Sequence, residues 1–155
     1  SGFYNQKAKR LSLLCKAIIA DFGDFESFKA GVSREWLLAR KGIGAESCDA
    51  ILCYACERAV MVADSYSARL LGALGYEFES YDELSAWLGE LEFERIYEFV
   101  NSANSPCDAA AKADKLENEN GVYALFHGLI VEFCKAHLKS KIFDDFAMEF
   151  FDNLK

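Results

Sequence analysis

Proline occurs once in these 155 residues, at Pro106, beside ten glycines. So few turn formers exclude a turn-rich, many-stranded β fold. No apolar run is long enough to span a bilayer, and the N-terminus has no leader pattern. The expectation is a soluble, cytoplasmic protein without a membrane partner. Positive charge is also short: 17 Lys and Arg stand against 25 Asp and Glu, a net charge of −8. That balance disfavours nucleic-acid binding through a broad basic patch. The cysteines (Cys15, Cys48, Cys53, Cys56, Cys107 and Cys134) lack a pairing pattern. Cys53 and Cys56 form one C-x-x-C inside a helical stretch, without a second pair or a βαβ context. They read as reduced structural thiols, with no metal site. There is no internal repeat or low-complexity tract.

What is present is apolar material in helical periods: 52% of residues are hydrophobic, ample for one domain's core. The chain is organised around Ser33 to Arg69. Ser33 is a good N-cap, and Arg34 to Arg40 gives a short helix. Gly42 stands where a helix end favours a left-handed residue, and one residue separates it from Gly44, so the chain reverses very tightly. From Glu46 the stripe Cys48, Ile51, Leu52, Ala55, Cys56, Ala59 defines a second, amphipathic helix. The turn is expected to present the backbone N–H groups of Gly42, Ile43, Gly44 and Ala45 at a helix start, a place suited to phosphate. A helical hairpin whose glycines only permit the turn is the alternative. Val60 to Asp64 then leads to a third helix, Ser65 to Leu74, with Asp64 as its N-cap.

K-G-I-G before a helix, followed by V-x-V-x-D at Val60 to Asp64, resembles the helix-hairpin-helix and aspartate segment of the endonuclease III-like DNA glycosylases. Gly2-Phe3-Tyr4-Asn5-Gln6-Lys7-Ala8 resembles the GxYNxKA segment that enters the same architecture. Within that superfamily the likeness is greatest to bacterial 3-methyladenine DNA glycosylases of the endonuclease III type. It extends from Ser1 to about Leu138, specific in the hairpin and weak after Gly75. It implies an all-α, helix-hairpin-helix glycosylase-like domain over residues 1–155, with the hairpin at about 33–60 and C-terminal helices at about 121–155. The family's segment before Gly2 supplies further helices, a second wedge and much of the base pocket. The expectation is therefore a C-terminal portion, or a relative that has lost those helices.

The resemblance implies roles residue by residue. Asp64, eighteen residues beyond Glu46, falls where the family places its essential aspartate. An ionised, capped carboxylate there would stabilise oxocarbenium charge and align water. Locally it is also simply a helix cap. Glu46 occupies the position of the lyase lysine in bifunctional relatives; a carboxylate cannot form a Schiff base, so a monofunctional enzyme is implied. Lys41 stands where the family usually has proline. Phe3, after Gly2, is the candidate duplex wedge, or else a hydrophobic staple. His127, before Gly128, reads as a structural histidine near the cleft. Cys134 alone cannot provide the four cysteines of the iron–sulfur cluster many relatives carry, so no cofactor is expected beyond a monovalent cation at the hairpin. The implied partner is double-stranded DNA with a damaged base, in a bacterial, nucleoid-associated setting.

Charge divides along the chain. Residues 1–60 hold nine Lys and Arg against seven Asp and Glu, and residues 61–155 eight against eighteen. Only the hairpin half suits phosphate, through amides more than a basic patch, with a shallow salt dependence.

The first helix, to about Asp21, buries a stripe of Ala8, Leu11, Cys15, Ile18 and Phe22, widened by Leu14 and Ile19, and its Leu11 to Phe22 stretch is expected to leave apolar surface exposed. A short helix or turn at Asp24 to Phe28 follows. Ser80 starts a helix that carries Leu84, Trp87, Leu88 and Leu91. Asn101 to Pro106 reads as a loop, Ala109 to Leu116 as a weak helix and Asn118 to Gly121 as a break. Val122 to Leu138 is the most regular stripe, and an aromatic segment with Ile142, Phe143, Phe146, Phe150, Phe151 and Leu154 ends the chain. Two readings compete with a glycosylase. One is a helix-hairpin-helix DNA-binding module without chemistry; the other is a helical protein-interaction domain.

Overall fold

The computed structural model describes residues 3–92, 94, 95, 98 and 119–154. Its helices start where short polar side chains can hold first-turn amides. Helix α1, Tyr4–Phe22, follows Phe3, which has a left-handed φ of 63° and provides no side-chain cap. Asp24 caps α2, Phe25–Gly31, accepting from the Ser27 amide at 2.7 Å. Ser33 caps α3, Arg34–Leu38, accepting from the Trp36 amide at 3.1 Å. Helix α4, Ala45–Ala50, begins at Gly44 and continues directly into a π-helical turn, Ile51–Ala55. Asp64 caps α5, Ser65–Ala73, and Ser80 caps α6, Tyr81–Gly89. Helix α7 is Glu119–His137. The two-residue strands β1, Leu138–Lys139, and β2, Ile142–Phe143, pair antiparallel and lead to α8, Asp145–Asp152.

The fold is all-α apart from that small hairpin. Its turn residues Ser140 and Lys141 have φ of 51° and 70°, the left-handed pair that a two-residue hairpin loop requires. The Ser140-Lys141 turn therefore separates α7 from α8.

Two apolar clusters flank the hairpin's second helix. Phe28, Val32, Leu37, Cys48, Leu52 and Cys56 are buried together, with Phe22 and Trp36 packed against them. Met61, Ala63, Leu71, Leu84, Leu88, Val122 and Tyr123 form the other, under Trp87 and Phe78. The segment from the π-turn to Asp64 passes between them, so the carboxylate sits between two packed units.

Four sequence expectations change. In α1, Ala8, Leu11, Cys15 and Ile19 are exposed, whereas the expected Leu14, Ile18 and Phe22 make the contact. Leu11 is 62% exposed, so the apolar surface anticipated on this helix is present. The stripe from Glu46 stops short of Ala59: the helix ends at Ala55, and Glu57 takes a φ of 54°. Asn118 to Gly121 is no full break, because Glu119, Asn120 and Gly121 are helical. In the aromatic tail only Phe151 is buried; Ile142, Phe146, Phe150 and Leu154 face outward. Phe151 packs with Phe133 and Phe143, at ring separations of 5.8 and 5.0 Å. Gly2, Cys107, the loop at 101–106 and the helix at 109–116 lie outside the described residues.

Candidate active site and nucleic-acid interface

The hairpin turn is closed by its own backbone. The Arg40 amide donates to the Leu37 carbonyl at 2.9 Å, and the Ile43 amide donates to the Arg40 carbonyl at 3.1 Å. Gly42 has a φ of 89°, which L side chains rarely adopt. One of the expected phosphate donors is thereby lost, since the Ile43 N–H is already engaged. Gly44, as N-cap, has no side chain to hold the first amides of α4. Lys41 and Glu46 are exposed beside the turn, while Ile43 is partly buried against the adjacent core.

A cation that the spacing did not place is found here. A Cβ on Gly42 would stand 2.5 Å from both Cδ and Nε of Arg10, so the Arg10 side chain of α1 lies across the turn. Phe3 is 77% exposed.

Behind the hairpin, Asp49 is 2% exposed and saturated. Arg34 donates from Nε to Oδ1 at 2.9 Å and from Nη2 to Oδ2 at 3.3 Å, and the Tyr81 hydroxyl donates to Oδ2 at 2.9 Å. The Asp49 hydrogen bond pushes the Arg34 guanidinium still further toward its charged form. Burial, then the Asp49 charge, push the Tyr81 phenol up. This network joins α3, α4 and α6 and leaves no oxygen for a ligand.

Asp64 is built differently. Its Oδ1 accepts from the amides of Tyr66 and Ser67, both at 2.9 Å, and from the Ser67 hydroxyl at 3.2 Å. The Ser67 hydroxyl closes the reciprocal capping box to the Asp64 amide at 3.5 Å. Oδ2 is left over, and it faces His127 Nε2 at 3.7 Å, with both side chains mostly covered (15% and 13% exposed). Burial raises the carboxyl's pKa, but His127 and the Ser67 hydrogen bonds outweigh it, so Asp64 lies below the usual carboxylate value. It stays ionised at neutral pH, as charge stabilisation requires.

His127 comes from α7, and its Nδ1 lies 2.5 Å from the Tyr54 hydroxyl on the π-turn. That hydroxyl is also 3.3 Å from the Ala124 carbonyl oxygen. Asn120, one helical stretch earlier, donates from Nδ2 to the carbonyls of Cys53 at 2.8 Å and Arg58 at 2.7 Å. It thereby satisfies backbone groups at the end of the π-turn and ties α7 to it. Sequence reasoning placed Asp64 and brought His127 near the cleft; it missed Tyr54, Asn120, Asp49 and the position of Arg10. The outward-facing Tyr54 next to an apolar stripe was the only available sign, and it is a weak one.

Among the described residues, no three His, Cys, Asp or Glu side chains converge as a metal site. Among them, too, no helix is long and apolar enough to cross a membrane.

No family model matches the chain. It is 34% identical over 152 residues to a Methanocaldococcus jannaschii protein whose name assigns it provisionally as a DNA repair glycosylase, covering 94% of this chain and 58% of that one. Among solved structures it superposes on H. pylori 3-methyladenine DNA glycosylase bound to 1,N6-ethenoadenine, with a TM-score of 0.73 and 47% identity. That match covers 89% of this chain and 60% of the other. The chain thus spans about three fifths of the length of each relative. By sequence and by fold, this chain is similar to DNA glycosylases.

Proposed function

We propose that this chain carries the hairpin and the catalytic carboxylate of a monofunctional DNA glycosylase acting on alkylated purines of the 3-methyladenine kind. The observation that carries this reading is the asymmetry of Asp64: one oxygen is fixed by a helix cap and the other is left free, charged and mostly covered. In hydrolysis the C1′–N bond breaks, and the alkylated base, already cationic, leaves neutral without a general acid. The positive charge then resides on the sugar, where Oδ2 stabilises it and orients the water whose oxygen bonds to C1′; the water's proton passes to the carboxylate or solvent.

The damaged base would be flipped out of duplex DNA, with Phe3 filling the gap it leaves. The amides of Gly42, Gly44 and Ala45, with Lys41 and Arg10 beside them, would take a backbone phosphate, and a monovalent cation is compatible with the same turn. Glu46, exposed where a lyase would need an amine, supports hydrolysis without strand cleavage. The same reading makes the protein a cytoplasmic one acting on the nucleoid.

Base release from methylated duplex DNA tests the proposal, using this chain alone and joined to the N-terminal helices the resemblance implies. Free 3-methyladenine that is lost in Asp64→Asn, with nicking only after alkali, is expected. Nicking without alkali would overturn the Glu46 reasoning. Intact duplex binding with no base release from the joined form would leave a binding module.

A further inference from the structure

We infer that His127, held by Tyr54, is a positioning residue that fixes the free oxygen of Asp64 through a donated Nε2–H. This rests on Asp64 being the working carboxylate. Among the described residues, Nε2 of His127 is buried with no hydrogen-bond partner. A buried ring nitrogen without a partner is costly, and native structures rarely leave one without a reason. The polar atom facing it is Asp64 Oδ2, 3.7 Å away, within ion-pair reach and just beyond a hydrogen bond.

The tautomer follows from the other side of the ring. If the Tyr54 hydroxyl donates to Nδ1 across the 2.5 Å contact, the ring proton must sit on Nε2. If instead Nδ1–H donates to Tyr54, a neutral ring would point a bare lone pair at a carboxylate in a covered site, which is repulsive. An imidazolium carries hydrogens on both nitrogens. The Tyr54 hydroxyl has one hydrogen: given to Nδ1, it leaves the neutral ring's proton on Nε2; given to the Ala124 carbonyl at 3.3 Å, it makes Tyr54 the acceptor from Nδ1–H, and the imidazolium is then the state that aims a hydrogen at Oδ2. A small closing movement of either side chain makes the bond, giving a Tyr54–His127–Asp64 chain across π-turn, α7 and the α5 cap. The other titratable groups about this site are Cys53 on the π-turn, Cys134 on α7 and Arg69 on α5. The cysteine thiols are buried, and burial pushes both thiols up, so they stay neutral and leave the carboxylate's charge to His127.

The test reads the resting protein and the reaction separately. Ring 15N shifts report the His127 tautomer, and 13C shifts of the Asp64 carboxyl report its titration, both without DNA. His127→Leu and Tyr54→Phe should each move the Asp64 titration upward, and His127→Gln, which keeps a donor, should restore it. In single-turnover base release by the joined form, His127→Leu should cost about tenfold at neutral pH, a hydrogen bond's worth of transition-state stabilisation. The loss should deepen toward acid pH with unchanged duplex affinity. If His127→Leu does not fold, Tyr54→Phe and the wild-type tautomer decide the matter. An Nδ1–H tautomer with a bare Nε2, or an Asp64 titration unmoved by Tyr54→Phe, would overturn the inference. Shifted titrations without base release in any form would instead overturn the glycosylase reading, leaving the His127–Asp64 hydrogen bond without a carboxylate at work to position.

Discussion

Asp49 and Asp64 lie fifteen residues apart on either side of the π-turn, and both are largely covered. Around Asp49 every oxygen is used: a two-pronged Arg34 and the Tyr81 hydroxyl close it, and the carboxylate knits three helices together. Around Asp64 only Oδ1 is used; Oδ2 faces a histidine that is too far for a hydrogen bond. Burial alone does not mark a functional acid. The discriminating property is an unspent oxygen on a rigidly held side chain.

If that distinction is right, neutralising the two residues should damage different things. Asp64→Asn should lower single-turnover base release on the order of a thousandfold, as expected when a charge aimed at the transition state is removed. Its melting free energy should change by less than about 1 kcal/mol, because asparagine caps a helix as well as aspartate. Asp49→Ala should do the reverse, costing about 3 kcal/mol in urea denaturation by leaving Arg34 and Tyr81 without their partner. Comparable stability losses at both positions would erase the distinction.

The helix starts were legible because capping is local. Ser33, Ser80 and Asp64 each announce a helix within three residues, and the structure uses all three. The Gly42 turn was legible for the same reason, since its geometry depends on one φ. What was hidden depends on partners distant in sequence. Tyr54 meets His127 across 73 positions, and no periodicity in either helix reveals it. The π-turn also breaks the register that a 3.6-residue period assumes, so Cys53 joins the buried set and Ala59 leaves it. In α1 the apolar period was correct, but which of its faces is covered depends on what packs there: Leu14 is covered and Leu11 is not.

The hairpin offers a similar contrast between two glycines. Gly42→Ala forces a side chain into a φ of 89° and against Arg10, so it should cost about 2 kcal/mol and displace that cation from the turn. Gly44→Ala, at a φ of −96° with nothing within 4 Å, should cost no more than about 1 kcal/mol as a poorer N-cap. Duplex binding at low salt should weaken in Gly42→Ala and in Arg10→Ala, and change little in Gly44→Ala. Equal losses for the two glycines would show that the turn matters only as a turn.

The smallest effect separates the two aspartate regions by pH. Asp64 has a folded pKa below its unfolded one, so its stabilisation is full above the ordinary carboxylate range and fades as pH falls below about 4. Tyr81 is shifted the opposite way by burial and the neighbouring Asp49 charge. Below about pH 10 the phenol is neutral in both states and nothing is lost; above that the unfolded chain ionises first and stability falls. Chemical denaturation across pH should therefore show an acid-side decline that Asp64→Asn flattens. The alkaline-side decline should be flattened by Tyr81→Phe, which also loses about 1.5 kcal/mol at neutral pH with its hydrogen bond to a charged group. An alkaline limb unchanged in Tyr81→Phe would mean the phenol is reachable by water, and the Asp49 network would then be less closed than its hydrogen bonds indicate.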